Sequence, residues 1–154
     1  MDIMHYVALA ITAFFMAAGC WSASAANDTS PKILQRWSGA QDGRESFATL
    51  VVNDAKGWEQ FWQEIGRDPP QAFDSSQMTA LIVFLGQRRT GGYSVEIVEV
   101  LHSGEYLRVE YTEQTPGPDR RVTQVITAPW TVILLPRIST PVHFVRSVSG
   151  IENR

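Results

Sequence analysis

MTALIVFL, residues 78 to 85, decides how this chain folds. From Ala80 to Leu85 every side chain is apolar. Strand side chains alternate between two faces, so a run apolar at both parities reads as a central strand. Just upstream, Trp58, Phe61, Trp62 and Ile65 fall at i, i+3, i+4 and i+7. That is one apolar stripe at helical period. Asn53 or Asp54 caps its start, Gly66 ends it, and Asp68-Pro69-Pro70 forbids continuation. Before the helix, Phe47 to Val52 reads as a strand. Phe47, Thr49 and Val51 share one face, and Ala48, Leu50 and Val52 the other. Ile33 to Trp37 starts the first strand.

Downstream lies RRTGGYSV, residues 88 to 95. Gly91-Gly92 permits positive φ and a sharp turn. Tyr93 to Leu101 is the next strand. Its apolar parity shifts at Ile97-Val98, which predicts a bulge. His102-Ser103-Gly104 turns the chain. Leu107, Val109 and Tyr111 then alternate with Arg108 and Glu110, a half-exposed strand in hairpin register. Thr115 to Arg121 is a loop, because Pro116-Gly117-Pro118 cannot sit inside a sheet. Val122 to Thr127 reads as a strand, Ala128-Pro129-Trp130 as a bend, Trp130 to Leu135 as its continuation, and Val142 to Val148 as the last strand. These elements give an α+β domain. Its mostly antiparallel curled sheet or partial barrel has about seven or eight strands, with one amphipathic helix packed on it.

The first 26 residues are set apart. Val7 to Ala18 is apolar and uncharged, but too short to span a bilayer. Small residues follow, as at a secretory cleavage site. Two cleavages stand open. Ala17-Ala18-Gly19-Cys20 resembles a lipobox, with lipidation at Cys20. Ala23-Ser24-Ala25 fits ordinary signal peptidase. Residues 1–26 are thus expected to be a signal peptide, 27–32 a short polar leader and 33–154 one domain. The product is expected in the periplasm or secreted, or alternatively held in the envelope membrane as a lipoprotein. With one cysteine in the chain, no disulfide framework forms. The formal charge is −3, and residues 1–26 hold one charged side chain, Asp2. A near-neutral domain offers no basic footprint for nucleic acid. Contact with a membrane is expected only through a lipid anchor at Cys20.

Residues with catalytic chemistry are sparse. His102 adjoins a turn, and His143 alternates with Val142 and Phe144. Neither has a Cys, Asp or Glu at metal-ligand spacing. Ser94 lacks a nucleophile elbow. Asp74 and Glu113 show no local partner. No catalytic residue, metal ligand or cofactor is therefore assigned. What stands out is a set of loops: Arg88, Arg89, Thr90, Gly91, Gly92 and Tyr93; Pro116, Gly117 and Pro118; Pro129 and Trp130. Gly-Gly between strands is ordinary hairpin grammar. The Arg-aromatic-Pro composition is equally that of protein interfaces. Hairpin pairing would return the Pro116 loop to the side of Gly91-Gly92, with Trp130 joining if Pro129 bends the chain back.

The tryptophan helix, Leu85-Gly86, Thr90-Gly91-Gly92-Tyr93, Thr115-Pro116-Gly117-Pro118, Gln124, Thr127-Ala128-Pro129-Trp130 and Leu135-Pro136 resemble, in that order, the PrcB C-terminal-like domain. The resemblance runs from about Trp58 to Phe144, with Trp130 where the family shows Tyr or Phe. That family is named for an accessory subunit of a bacterial secreted protease complex. The resemblance implies an exported, non-catalytic, protein-binding accessory module of the cell envelope that stabilises or inhibits a protease. Chagasin-type protease inhibitors present loops of similar chemistry in similar order, an analogy of loops alone. Two other readings stay open: a small-ligand binder using the sheet mouth near Tyr93, and a weak hydrolase built from Ser94, His143 and a carboxylate.

Overall fold

Helix α1 (Ala55–Glu64) forms where the apolar stripe predicts it. The structure is a computed structural model and describes residues 30–147. Asp54 is the N-cap, and its carboxylate accepts the Gly57 N–H at 2.8 Å. Such a cap contributes about 1 kcal/mol. Asn53, the alternative cap, accepts the Thr79 hydroxyl instead, at 2.6 Å. At the other end Gly66 takes φ 68°. Its N–H donates to the Gln63 carbonyl, and the Arg67 N–H to that of Trp62. This bond pair closes a helix that ends in a left-handed residue.

The seven strands are β1 (Gln35–Gly39), β2 (Ala48–Val52), β3 (Met78–Phe84), β4 (Ser94–Ser103), β5 (Tyr106–Gln114), β6 (Trp130–Pro136) and β7 (Val142–Arg146). They form two mostly antiparallel sheets, in the orders β1-β6-β3-β2 and β4-β5-β7. With one helix packed on them, this is the expected α+β architecture, and it is not a closed barrel.

Side-chain alternation explains why β3 and β6 are apolar throughout. Ala80, Ile82, Phe84, Trp130, Val132 and Leu134 face the helix and meet Trp58, Phe61, Trp62 and Ile65. Leu81, Val83, Leu85, Ile133 and Leu135 face the second sheet and meet Val95, Ile97, Leu107 and Val109. These two strands therefore serve two cores. Trp37, Trp58, Trp62 and Trp130 form an edge-on aromatic cluster on the helix side, with centroids 5.3–5.9 Å apart.

In the second sheet the register slips between Ile97 and Glu99, which is the predicted bulge. Val98 is left half exposed. Gly104, at φ 62°, turns the β4–β5 hairpin. β7 joins β5 in parallel, the one parallel pair described. Arg36 ties the sheets together on the β1–β4 side, where its Nη1 donates to the Glu96 carboxylate and the Ile97 carbonyl.

Three expectations are corrected. Val122 to Thr127 is not a strand. It contributes only an isolated bridge, Arg88 to Thr127, and leaves Val125 and Ile126 on the surface. The Gly91-Gly92 segment is not a hairpin turn either, because β3 and β4 lie in different sheets. It carries the chain across from one sheet to the other. The first strand begins at Gln35 rather than Ile33. The leader read over residues 1–26, with Cys20, lies outside the described residues, as does the chain beyond Ser147.

Candidate functional site

The crossover is built by close backbone approach. The Gly91 N–H donates to the Thr123 carbonyl at 2.8 Å. Gly92 takes φ 87°, and a β-carbon there would come within 2.9 Å of Pro116. Thr127 exchanges both backbone hydrogen bonds with Arg88, and its hydroxyl donates to the Thr90 carbonyl. The loops at 88–93 and 116 therefore lie together, with 122–127 folded over them. Gly91 is buried, Tyr93 and Pro116 are half-buried, and Arg89, Gly117 and Pro118 are exposed.

Pro129 and Trp130 do not join them on the surface. Pro129 is buried, and its carbonyl accepts the Leu85 N–H. Trp130 is fully buried in the helix-side core, and its indole N–H donates to the Gln41 carbonyl at 2.9 Å. The signal was present, since Trp130 shares its parity with Val132 and Leu134. A strand starting at residue 130 turns the indole inward.

The structure adds a site that sequence reasoning missed. On the side away from β1 and β4 lies a groove of about 340 Å³. Its walls include Phe47, Gln87, Arg88, Tyr111, Glu113 and Arg146. The Glu113 side chain is only 6 % exposed. One of its oxygens accepts from Arg88 Nε at 2.9 Å, the other from Arg146 Nη2 at 2.7 Å. Arg88 also lies over the Tyr93 ring, 5.8 Å from its centroid. The exposed Phe47 ring stacks on Tyr111 at 5.8 Å. Burial pushes the Tyr111 phenol above the usual tyrosine range; Arg146 opposes this and Glu113 adds to it. Beside this groove, Ile126, 63 % exposed, lines a second recess with Gln87, Arg88 and Arg89.

Of the residues lining the two recesses, the sequence singled out Arg88 and Arg89 for binding, and Glu113 only as a carboxylate with no local partner. Glu113 continues the alternation Leu107, Val109, Tyr111, so its inward direction was readable. Its two arginine partners were not, being 25 and 33 residues away. Tyr93 lies under Arg88 and is not part of the groove wall.

The residues considered for catalysis stay apart. Strand pairing sets His143 opposite Arg108, near the start of β5, and Ser94 opposite Gln114 at its end. Six residues of strand separate those points, about 20 Å. The His143 ring lies tilted against that of Tyr106, and Ser94 donates to the Gln114 side chain. Asp74 accepts the hydroxyl and the N–H of Ser76, which hold its carboxyl below the usual carboxylate range. No group of three His, Cys, Asp or Glu side chains among the described residues is placed to hold a metal ion.

No curated protein and no solved structure matches this chain. A family model described as PrcB C-terminal matches residues 79–136. The matched stretch runs from β3 to the end of β6 and contains the crossover, the long loop, Arg88, Tyr111 and Glu113. Phe47 and Arg146 lie outside it. Over residues 79–136 this chain carries a PrcB C-terminal-like domain.

Proposed function

We propose that this chain is an exported, non-catalytic accessory module that binds an extracytoplasmic protease and stabilises or inhibits it. The PrcB C-terminal match carries the reading, because that family is named for the accessory subunit of a protease complex. The surface around the crossover supports a protein partner. Arg88, Arg89, Thr90, Gly92, Tyr93 and Pro116 to Pro118 lie along it, with Val125 and Ile126 exposed nearby. Interfaces are enriched in arginine and aromatic residues and depleted in other charges. Pro129 and Trp130 are buried and offer a partner no surface.

The leader supplies the route. Cleavage near residue 26 gives a soluble domain, and cleavage before Cys20 gives a lipid-anchored one. Mass spectrometry of the protein from its native host distinguishes the two. An intact Met1 in the cytoplasm would defeat the export reading. Chemical cross-linking in the native envelope should yield a protease adduct. Arg89→Ala with Ile126→Ser, both exposed, should reduce that adduct without changing the melting temperature. Absence of any protease adduct with the wild-type chain would defeat the accessory reading.

A further inference from the structure

The groove between the two sheets has features that the accessory reading does not use. Glu113 offers two oxygens, and both are occupied by arginine. A guanidinium carries five N–H donors. The bonds described use two on Arg88, to Glu113 and the Gln87 carbonyl, and one on Arg146. Arg146 is 58 % exposed, so its remaining donors reach solvent. Arg89 stands beside the groove with no acidic partner among the described residues. One buried carboxylate thus pre-orients two guanidinium groups, and the only other acid in the wall is Glu45, exposed to water. Two arginines and two glutamates line the wall, and Arg89 beside it leaves the site one anion short.

The apolar half adjoins it. Phe47 lies 53 % exposed on Tyr111, in a position where water gains little from its ring. Phe47 leads directly into β2, the outermost strand of its sheet. Edge strands are usually guarded by a charge, a proline or a bulge. From Phe47 to Val52 the sequence is FATLVV, with none of these. Its pairing with β3 is regular over all five residues. An uncharged, unguarded edge beside a groove with two fixed guanidinium groups is suited to an extended chain, which adds as a strand and sends alternate side chains into flanking pockets.

We propose that this groove seats an extended acidic segment of the partner protein. An Asp or Glu side chain of that segment lies between Arg88 and Arg146, and a neighbouring apolar side chain lies on Phe47 and Tyr111. The segment's backbone runs along the free edge of β2. Charge-assisted bonds to two fixed guanidinium groups give the site its preference for a carboxylate, and the aromatic pair selects the residue beside it. The proposal rests on the accessory reading and names the partner chemistry for it.

A displayed library of random linear peptides, selected on the mature chain, tests this. Selected peptides should hold Asp or Glu close to an aromatic or branched apolar residue. Made synthetically with an amidated C-terminus, they should lose roughly tenfold in affinity when that acid becomes its amide, about 1.4 kcal/mol. Arg146→Gln and Phe47→Ser should each cause a similar loss, while Val98→Ser, at the bulge of β4, should not. Both groove variants replace exposed side chains, and their melting curves are the control for folding. The proposal is overturned if nothing is enriched, if the enriched peptides lack an acid, if they require a free C-terminal carboxylate, or if R146Q binds them as wild type does. If R146Q and F47S still give the protease adduct at wild-type yield, the groove is not the partner's seat and the accessory reading survives. If the wild-type chain gives no adduct, that reading itself fails.

Discussion

Gly92 sits against Pro116 with no room for a side chain between them. A β-carbon on Gly92 would come within 2.9 Å of the Pro116 ring and 3.0 Å of Val122, and the residue's φ is 87°. Gly92→Ala therefore meets both backbone strain and a clash. Gly104 makes a useful comparison, since its φ is 62° but nothing lies within 4 Å of an added β-carbon. Gly104→Ala should cost about 1 kcal/mol. Gly92→Ala should cost about 2 kcal/mol or more. Urea denaturation of the two variants gives the ranking, and equal losses would mean the crossover is looser than described.

Trp58 and Trp62 lie on one helix face and are almost fully buried. Replacing either with Ala should cost about 3–5 kcal/mol. Phenylalanine separates them. The Trp58 indole N–H donates to the Gln71 carbonyl at 3.0 Å, whereas that of Trp62 has no protein partner among the described residues. Trp58→Phe should thus be the costlier change by about 1 kcal/mol. Equilibrium unfolding of the two single variants checks the order.

The Glu113 cluster should respond unequally to loss of its members. Glu113→Gln replaces one acceptor oxygen with an NH2 group, so it loses one charge-assisted bond and weakens the other, and should cost about 2 kcal/mol. Arg146→Gln breaks one bond on a side chain more than half exposed, and should cost at most about 1 kcal/mol. The same denaturation series tests this. A larger loss for Arg146 would shift the weight of the cluster to β7.

Tyr111 predicts an alkaline limit. Its folded phenol is raised above the unfolded value, chiefly by burial. The neutral phenol's contribution is complete below the unfolded tyrosine value. It fades as pH rises through the folded one. Relative to wild type, Tyr111→Phe should therefore gain stability progressively on the alkaline side and show no such trend at neutral pH. Removing the opposing charge with Arg146→Gln should raise the phenol further. Melting temperatures across the alkaline range, with phenolate absorbance, measure both effects.

Local periodicity made much of this fold legible. The helix was readable because Trp58, Phe61, Trp62 and Ile65 must share a face. The bulge was readable because Val98 broke parity. The central place of β3 followed from six consecutive apolar residues. Strand partnership was not legible, because it is a non-local choice. Nothing within Val142 to Arg146 says that it pairs in parallel with β5. Val122 to Thr127 has strand composition, yet its backbone is engaged by Arg88 and Gly91, and Val125 and Ile126 gain no apolar cover. The groove failed to show for the same reason: Phe47, Arg88, Glu113 and Arg146 come from four separate parts of the chain.

The position of β7 gives the groove a place in time. Chains leave the ribosome amino end first. Phe47, Arg88 and Glu113 are all synthesised before Arg146, which ends the last described strand. β7 then lays itself parallel to a hairpin already able to form, and only at that step does Glu113 acquire its second guanidinium. A nascent or prematurely terminated chain would carry the aromatic half of the recess and Arg88 without Arg146, so the finished groove reports that synthesis has run through residue 146.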